Sequence, residues 1–133
     1  MGLDIGDRRI GVALSDPGGI LASPFTIIER VGLQQDIEAI ADIARQQEVG
    51  RVIIGLPRSM DGTLGSQAGK VQEFVEELRG HLDVPVEFRD ERLTSVTARR
   101  LLQRSGSRKG RGKVRYDAAA AAVILQSYLE EGR

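Results

Sequence analysis

The chain predicts an α/β fold: a five-stranded mixed sheet, three antiparallel strands and then two βα units, flanked by helices. Three observations carry this expectation. The first stretch, to Glu29, holds three β-rich runs joined by short turns, which is an antiparallel meander. Beyond it, apolar residues recur at helical spacing in segments that alternate with short extended runs. One of those runs, Arg51-Val-Ile-Ile-Gly-Leu-Pro57, is a short apolar strand of the kind buried on both faces of a parallel pairing.

Taken in order, Leu3–Ile5 and Ile10–Leu14 form a hairpin across the polar turn Gly6-Asp7-Arg8-Arg9. Asp16-Pro-Gly-Gly is a turn, and Ala22–Glu29 is the third strand, with Pro24 near its start as an edge strand tolerates. Leu33, Ile37, Ile40, Ala41 and Ala44 share a helical face, so a helix covers roughly 33–48 and ends near Gly50. After the fourth strand, Arg58 to Gly69 is polar and glycine-rich. Ala68, Val71, Phe74, Val75, Leu78 and Leu82 make a second helix, and Asp83–Asp90 gives the fifth strand. Thr94 or Ser95 can cap a third helix that carries Val96, Ala98, Leu101 and Leu102 inward. Ser105 to Lys113 is expected to be a loop. Asp117 then opens a final helix, Ala118–Glu130, whose five consecutive alanines permit close packing on the sheet.

At 133 residues, 41% of them hydrophobic, the chain is expected to form one domain over 1–133 with a real core. It has no cysteine, which excludes disulfides and thiolate chemistry. No segment approaches the ~18 apolar residues of a membrane span, and the start lacks a signal-peptide layout, so a cytoplasmic location is expected. The net charge of zero hides a separation. The 25 residues from Arg92 to Tyr116 hold nine Arg or Lys and no acid, leaving ten bases against nineteen acids elsewhere. Such a segment suits an anionic partner.

The chemistry sits in three acids. Asp4 lies inside the first strand, where alternation puts Gly2, Asp4 and Gly6 on one face. A carboxylate there is either a satisfied polar group beside glycines needed for close packing, or a cation holder with space cleared for a bulky anion. Glu91 follows the fifth strand, at the end where open α/β sheets place ligands. Asp117 is expected in the first turn of the last helix, where it could merely complement the helix dipole. Taken together, three carboxylates suit a hard divalent cation such as Mg²⁺ or Mn²⁺. Two such ions about 4 Å apart can activate water and stabilise the leaving oxygen of a phosphodiester. The basic stretch Arg108-Lys109-Gly-Arg111-Gly-Lys113-Val-Arg115 has no aromatic before Tyr116, so it fits phosphate contacts rather than base stacking. Arg92 and Arg58 are weaker candidates for the same task. His81, the only histidine, is expected to be a surface residue.

Four motifs in order then carry a resemblance. Asp4-Ile-Gly with Arg9-Ile-Gly-Val-Ala-Leu-Ser-Asp, Gly55-Leu-Pro with Met60-Asp-Gly-Thr, Asp90-Glu-Arg-Leu-Thr-Ser, and Tyr116-Asp-Ala-Ala-Ala-Ala closely resemble the YqgF (RuvX) family. Its members are also called "putative pre-16S rRNA nucleases" or "putative Holliday junction resolvases". The resemblance runs end to end. It implies an RNase H-like fold and a metal-dependent nuclease of ribosomal RNA maturation, with the acidic triad on Asp4, Glu91 and Asp117. The implied partner is RNA, precursor rRNA within pre-ribosomal particles. Two departures stand out. Only three residues precede Asp4, so the outer end of the first strand is expected to pair poorly, and Arg58-Ser59 adds a positive charge beside the presumed site.

Three rivals remain at this level. A Holliday junction resolvase on branched DNA would share the metal chemistry and need a two-fold homodimer. A structured-RNA-binding protein would keep the basic stretch without catalysis. An actin-type ATPase also uses an Asp-x-Gly hairpin, but this chain is too short for two lobes.

Overall fold

The computed structural model describes residues 1–56, 66–90 and 111–131, the backbone alone at 66, 67, 90 and 111–117. Arg58, Glu91, Arg92, Arg108, Lys109 and the helix expected over 94–102 lie outside the described residues.

Five strands form one sheet: β1 (Gly2–Ile5), β2 (Arg9–Ser15), β3 (Ala22–Glu29), β4 (Val52–Leu56) and β5 (Val86–Asp90). Their spatial order is β3-β2-β1-β4-β5. The first three pair antiparallel, while β1–β4 and β4–β5 are parallel. β3 is an edge strand, and its Pro24 lies opposite Ala13, where the β2–β3 register shifts. An edge position spares the ring a missing ladder bond.

Helices α1 (Leu33–Gln46) and α2 (Ser66–Arg79) cover one face, and α3 (Arg111–Glu131) covers the other. Strand alternation sorts the core accordingly. Leu3, Ile5, Ile10, Val12, Ile54 and Leu56 pack with α1 and α2, whereas Ala13 and Ile53 pack with Ala121, Ile124 and Leu125 of α3. No described helix is long and apolar enough to cross a membrane.

Several expectations change. Leu33, placed on the inner stripe of α1 by its spacing, is 43% exposed, and Asp36 takes the buried phase with Ile37 and Ile40. α1 does end near Gly50, though not on that glycine: Glu48 adopts φ 53°, Glu48 N–H donates to Arg45 O, and Val49 N–H donates to Ala44 O. That is a Schellman ending with glutamate in the left-handed position where glycine is usual. The outer end of β1 is paired after all, since Ile53 N–H donates to Met1 O at 2.8 Å and the Met1 nitrogen donates to Arg51 O at 2.9 Å.

The last helix begins at Arg111, not at Asp117. The alanine run supplies a stable helical nucleus, and extending a formed helix backwards adds one hydrogen bond per residue. The backbone at Arg111, Lys113 and Arg115 is therefore helical rather than loop, and Asp117 lies well inside the helix.

Candidate functional site

β1 is the central strand, and its two faces do different work. Leu3 and Ile5 are buried against α1 and α2. Gly2 faces α3 so closely that an added β-carbon would stand 2.7 Å from Ala121 O and 2.8 Å from Leu125 Cβ. Alternation therefore sets the half-buried Asp4 on the α3 face as well. Gly11 is its direct partner on β2, and the next step of the β1–β4 register brings Gly55 level with it on the other side. Asp4 thus stands between two glycines across the sheet, so neither neighbouring strand sets a side chain beside it. Gly6, where a β-carbon would meet Arg9 O at 2.9 Å, keeps the following turn tight.

α3 runs antiparallel to β1. Its later residues Leu125, Tyr128 and Leu129 line a cavity of about 560 Å³ with Met1 and Arg51, at the start of β1 and β4. Moving up β1 from Gly2 therefore means moving back along α3 from Ala121. Asp4 is two strand residues above Gly2, roughly 7 Å. The backbone at residue 117 is one helical turn before Ala121, about 6 Å. α3 therefore runs back from Ala121 toward the C-terminal edge of the parallel strands, the edge at which Asp4 stands. Glu91 is outside the described residues, but the residue it follows, Asp90, is paired with Leu56 at that same edge.

Three fixtures hold this face in place. Arg89, across from Gly55, donates through Nε to Ser127 Oγ at 3.2 Å and is ion-paired with Glu131, whose carboxyl it holds below the usual range. Arg51 joins Glu87 at 2.7 Å and the Tyr128 hydroxyl at 2.9 Å, which raises its guanidinium pKa further. Gln126 accepts from Ala22 N–H at 2.8 Å and donates to Ile20 O at 3.0 Å. Together they clamp α3 to β3, β4 and β5.

Among the described residues no three acids or histidines converge; Glu91 and the Asp117 side chain lie outside them. His81 is exposed, its Nδ1 3.1 Å from Glu77 O. Periodicity and motifs do not reveal one hydrogen bond beside Asp4: Arg30 donates to the carbonyl of Gly6 at 2.8 Å. The available signal is its partner Asp36, a carboxylate in the phase of the apolar stripe of α1.

The family model and the curated relatives agree on one family. A family model described as "RuvX: Holliday junction resolvase" matches residues 1–131. A Desulforamulus reducens protein named "Putative pre-16S rRNA nuclease" is 43% identical over 132 residues, covering 99% of this chain and 96% of that one. A Clostridioides difficile protein of the same name is 47% identical over 131 residues, covering 98% and 92%. Among solved structures, Thermus thermophilus RuvC superposes with a TM-score of 0.62 at 14% identity, over 98% of this chain and 95% of that one. Fowlpox virus resolvase, solved with Holliday junction DNA, gives 0.57 at 14% identity, over 98% and 95%. At that identity the likeness is one of fold, and the fold is RNase H-like.

Proposed function

The chain belongs to the RuvX family, and on that premise we propose that it is a nuclease hydrolysing RNA phosphodiester bonds in the maturation of pre-16S rRNA. The relatives that cover nearly its whole length carry that name. What supports the reading most is the place of Asp4 on the α3 face of β1, at the strand ends where β5 leads into Glu91 and toward which α3 runs back to residue 117.

The donor set fits a hard divalent ion, Mg²⁺ or Mn²⁺. Carboxylate oxygens are the ligands such ions prefer, and the positions directly beside Asp4 on the neighbouring strands are Gly11 and Gly55, which carry no side chain. Asp4, Glu91 and Asp117 would hold the ion. When bound, it supplies positive charge that eases deprotonation of water and offsets charge on the phosphate. The chain's own share is to orient these carboxylates and to hold the substrate. Arg108, Lys109, Arg111, Lys113 and Arg115 neutralise backbone phosphates, with Arg92 and Arg58 adding to them. These contacts are sequence-independent, so the choice of substrate rests on RNA shape rather than base readout. The chain acts as one domain in the cytoplasm, where precursor rRNA is found.

The test offers the purified protein a precursor RNA spanning the 5′ end of 16S rRNA and, separately, a four-way DNA junction, each with Mn²⁺. Cleavage of the RNA with the junction left intact is expected. Symmetrical cutting of the junction by a two-fold dimer, with the RNA untouched, would replace this reading by that of a resolvase.

A further inference from the structure

Asp36 is the one charged side chain buried among the described residues, 1% exposed. Its carboxylate accepts from Arg30 Nε at 3.1 Å and from Val31 N–H at 3.1 Å. The same guanidinium donates through Nη1 to Gly6 O at 2.8 Å and lies over Phe74, its Cζ 5.1 Å from the ring centroid. One side chain thus touches the end of β1, the first turns of α1 and the middle of α2. The main chain adds to the junction: Arg30 N–H donates to Arg8 O at 2.9 Å, and Gly6 N–H donates to Arg9 O at 2.9 Å.

Burying a carboxylate and pairing it with arginine is seldom a gain in stability over a well-packed apolar pair. The arrangement does give direction. Guanidinium is a planar fork whose donors leave at fixed angles, so seating it against Asp36 and Phe74 aims Nη1 at a single carbonyl. That carbonyl belongs to Gly6, two residues after Asp4, in a stretch where glycine leaves the backbone free to adopt other conformations. Gly6 N–H closes the hairpin on Arg9 O, and Arg30 adds a hold on Gly6 O from outside the sheet.

We infer that Arg30 is a positioning residue for the acidic site: by holding Gly6 O it fixes the end of β1 and so the placement of the Asp4 carboxylate. The inference rests on the proposal that Asp4 is a metal ligand. Partners that orient metal ligands from behind typically carry 10–100-fold in metal affinity. Arg30→Lys keeps the charge for Asp36 but a single ammonium does not span both Asp36 and Gly6. Asp36→Asn keeps the acceptor for Val31 N–H and weakens only the seat of the guanidinium.

The experiment measures Mn²⁺ binding by calorimetry, without substrate, in the parent, Arg30→Lys, Asp36→Asn, Asp4→Asn and Val52→Ala. The last is a core deletion at the opposite end of the sheet. Amide exchange at Gly6 is followed by NMR in the same metal-free proteins. We expect Arg30→Lys to weaken Mn²⁺ about tenfold and to speed Gly6 exchange. Asp36→Asn should do the same to a smaller degree, which also covers a failure of Arg30→Lys to fold. Val52→Ala should lose stability without changing Mn²⁺ affinity. Parent-like Mn²⁺ affinity in Arg30→Lys and Asp36→Asn, with Asp4→Asn not binding, would overturn the inference alone, as would an equal loss in Val52→Ala. Parent-like binding by Asp4→Asn would overturn the metal reading and this inference with it.

Discussion

A β-carbon on Gly2 would stand 2.7 Å from the carbonyl oxygen of Ala121, closer than real β-carbons approach backbone. Glycine on β1 and alanine on α3 together let the helix lie directly on the central strand, and that packing sets the position of α3, residue 117 included, relative to β1. Gly2→Ala should therefore push α3 outward. Overpacking of this kind costs typically about 1–3 kcal/mol, and the accompanying shift should lower cleavage more than the stability loss explains. Urea midpoints and turnover on the folded variant check both. A variant as stable and active as the parent would mean that α3 yields without disturbing the site.

Glu48 holds φ 53° at the end of α1. A non-glycine residue in left-handed geometry costs ~1–2 kcal/mol, partly offset because glycine loses more backbone freedom on folding. Glu48→Gly should raise stability by about 0.5–1 kcal/mol. A lower denaturation midpoint would show that the Glu48 side chain makes up for its backbone.

Asp16 closes the loop before β3 by accepting from Ile20 N–H at 2.6 Å and Leu21 N–H at 3.1 Å. These bonds, Ile20's first, hold its carboxyl below the ordinary value of 3.8. A lowered folded pKa stabilises fully above the unfolded value and is lost as pH falls through the folded one. The stability gap between parent and Asp16→Ala should be constant at neutral pH and narrow below 3.8. A gap unchanged between about pH 6 and about pH 2.5 would contradict the bonding.

Much of this architecture is legible in the sequence because it follows from periodicity. The third strand occupies Ala22–Glu29 as expected, and the apolar run of β4 is buried at every position. What periodicity misses is cooperativity and pairing. Arg111 to Lys113 reads as loop from its glycine and charges, yet it continues the helix that the alanines nucleate. The dipole-complementing alternative for Asp117 disappears with it, since the effect falls off within the first turn. Asp36 stands in the apolar phase of α1, and only the fold brings Arg30 across to it. The lone carboxylate of β1 is visible in the sequence, whereas the glycines flanking it on β2 and β4 emerge only from the register.

Neutralising Arg108, Lys109, Arg111 and Lys113 together should weaken RNA binding and flatten its salt dependence. On a single strand, the slope should become shallower by about 0.7 for each phosphate no longer neutralised. Turnover at saturating RNA should change far less, since on the proposed function these residues would hold the backbone and not the reacting phosphate. Filter binding across a salt series checks the first, and an unchanged slope would place the basic stretch away from the substrate.

The central claim is that Asp4 and Asp117 act as one site. An ion that binds only the folded state raises the melting temperature by mass action. The most direct measurement is therefore the Mn²⁺-induced rise in melting temperature, paired with cleavage of the precursor RNA, in the parent, Asp4→Asn and Asp117→Asn. The account predicts a clear rise in the parent, little in either variant, and cleavage reduced by orders of magnitude in both while they remain folded. An equal rise and equal cleavage in the parent and Asp117→Asn would contradict it.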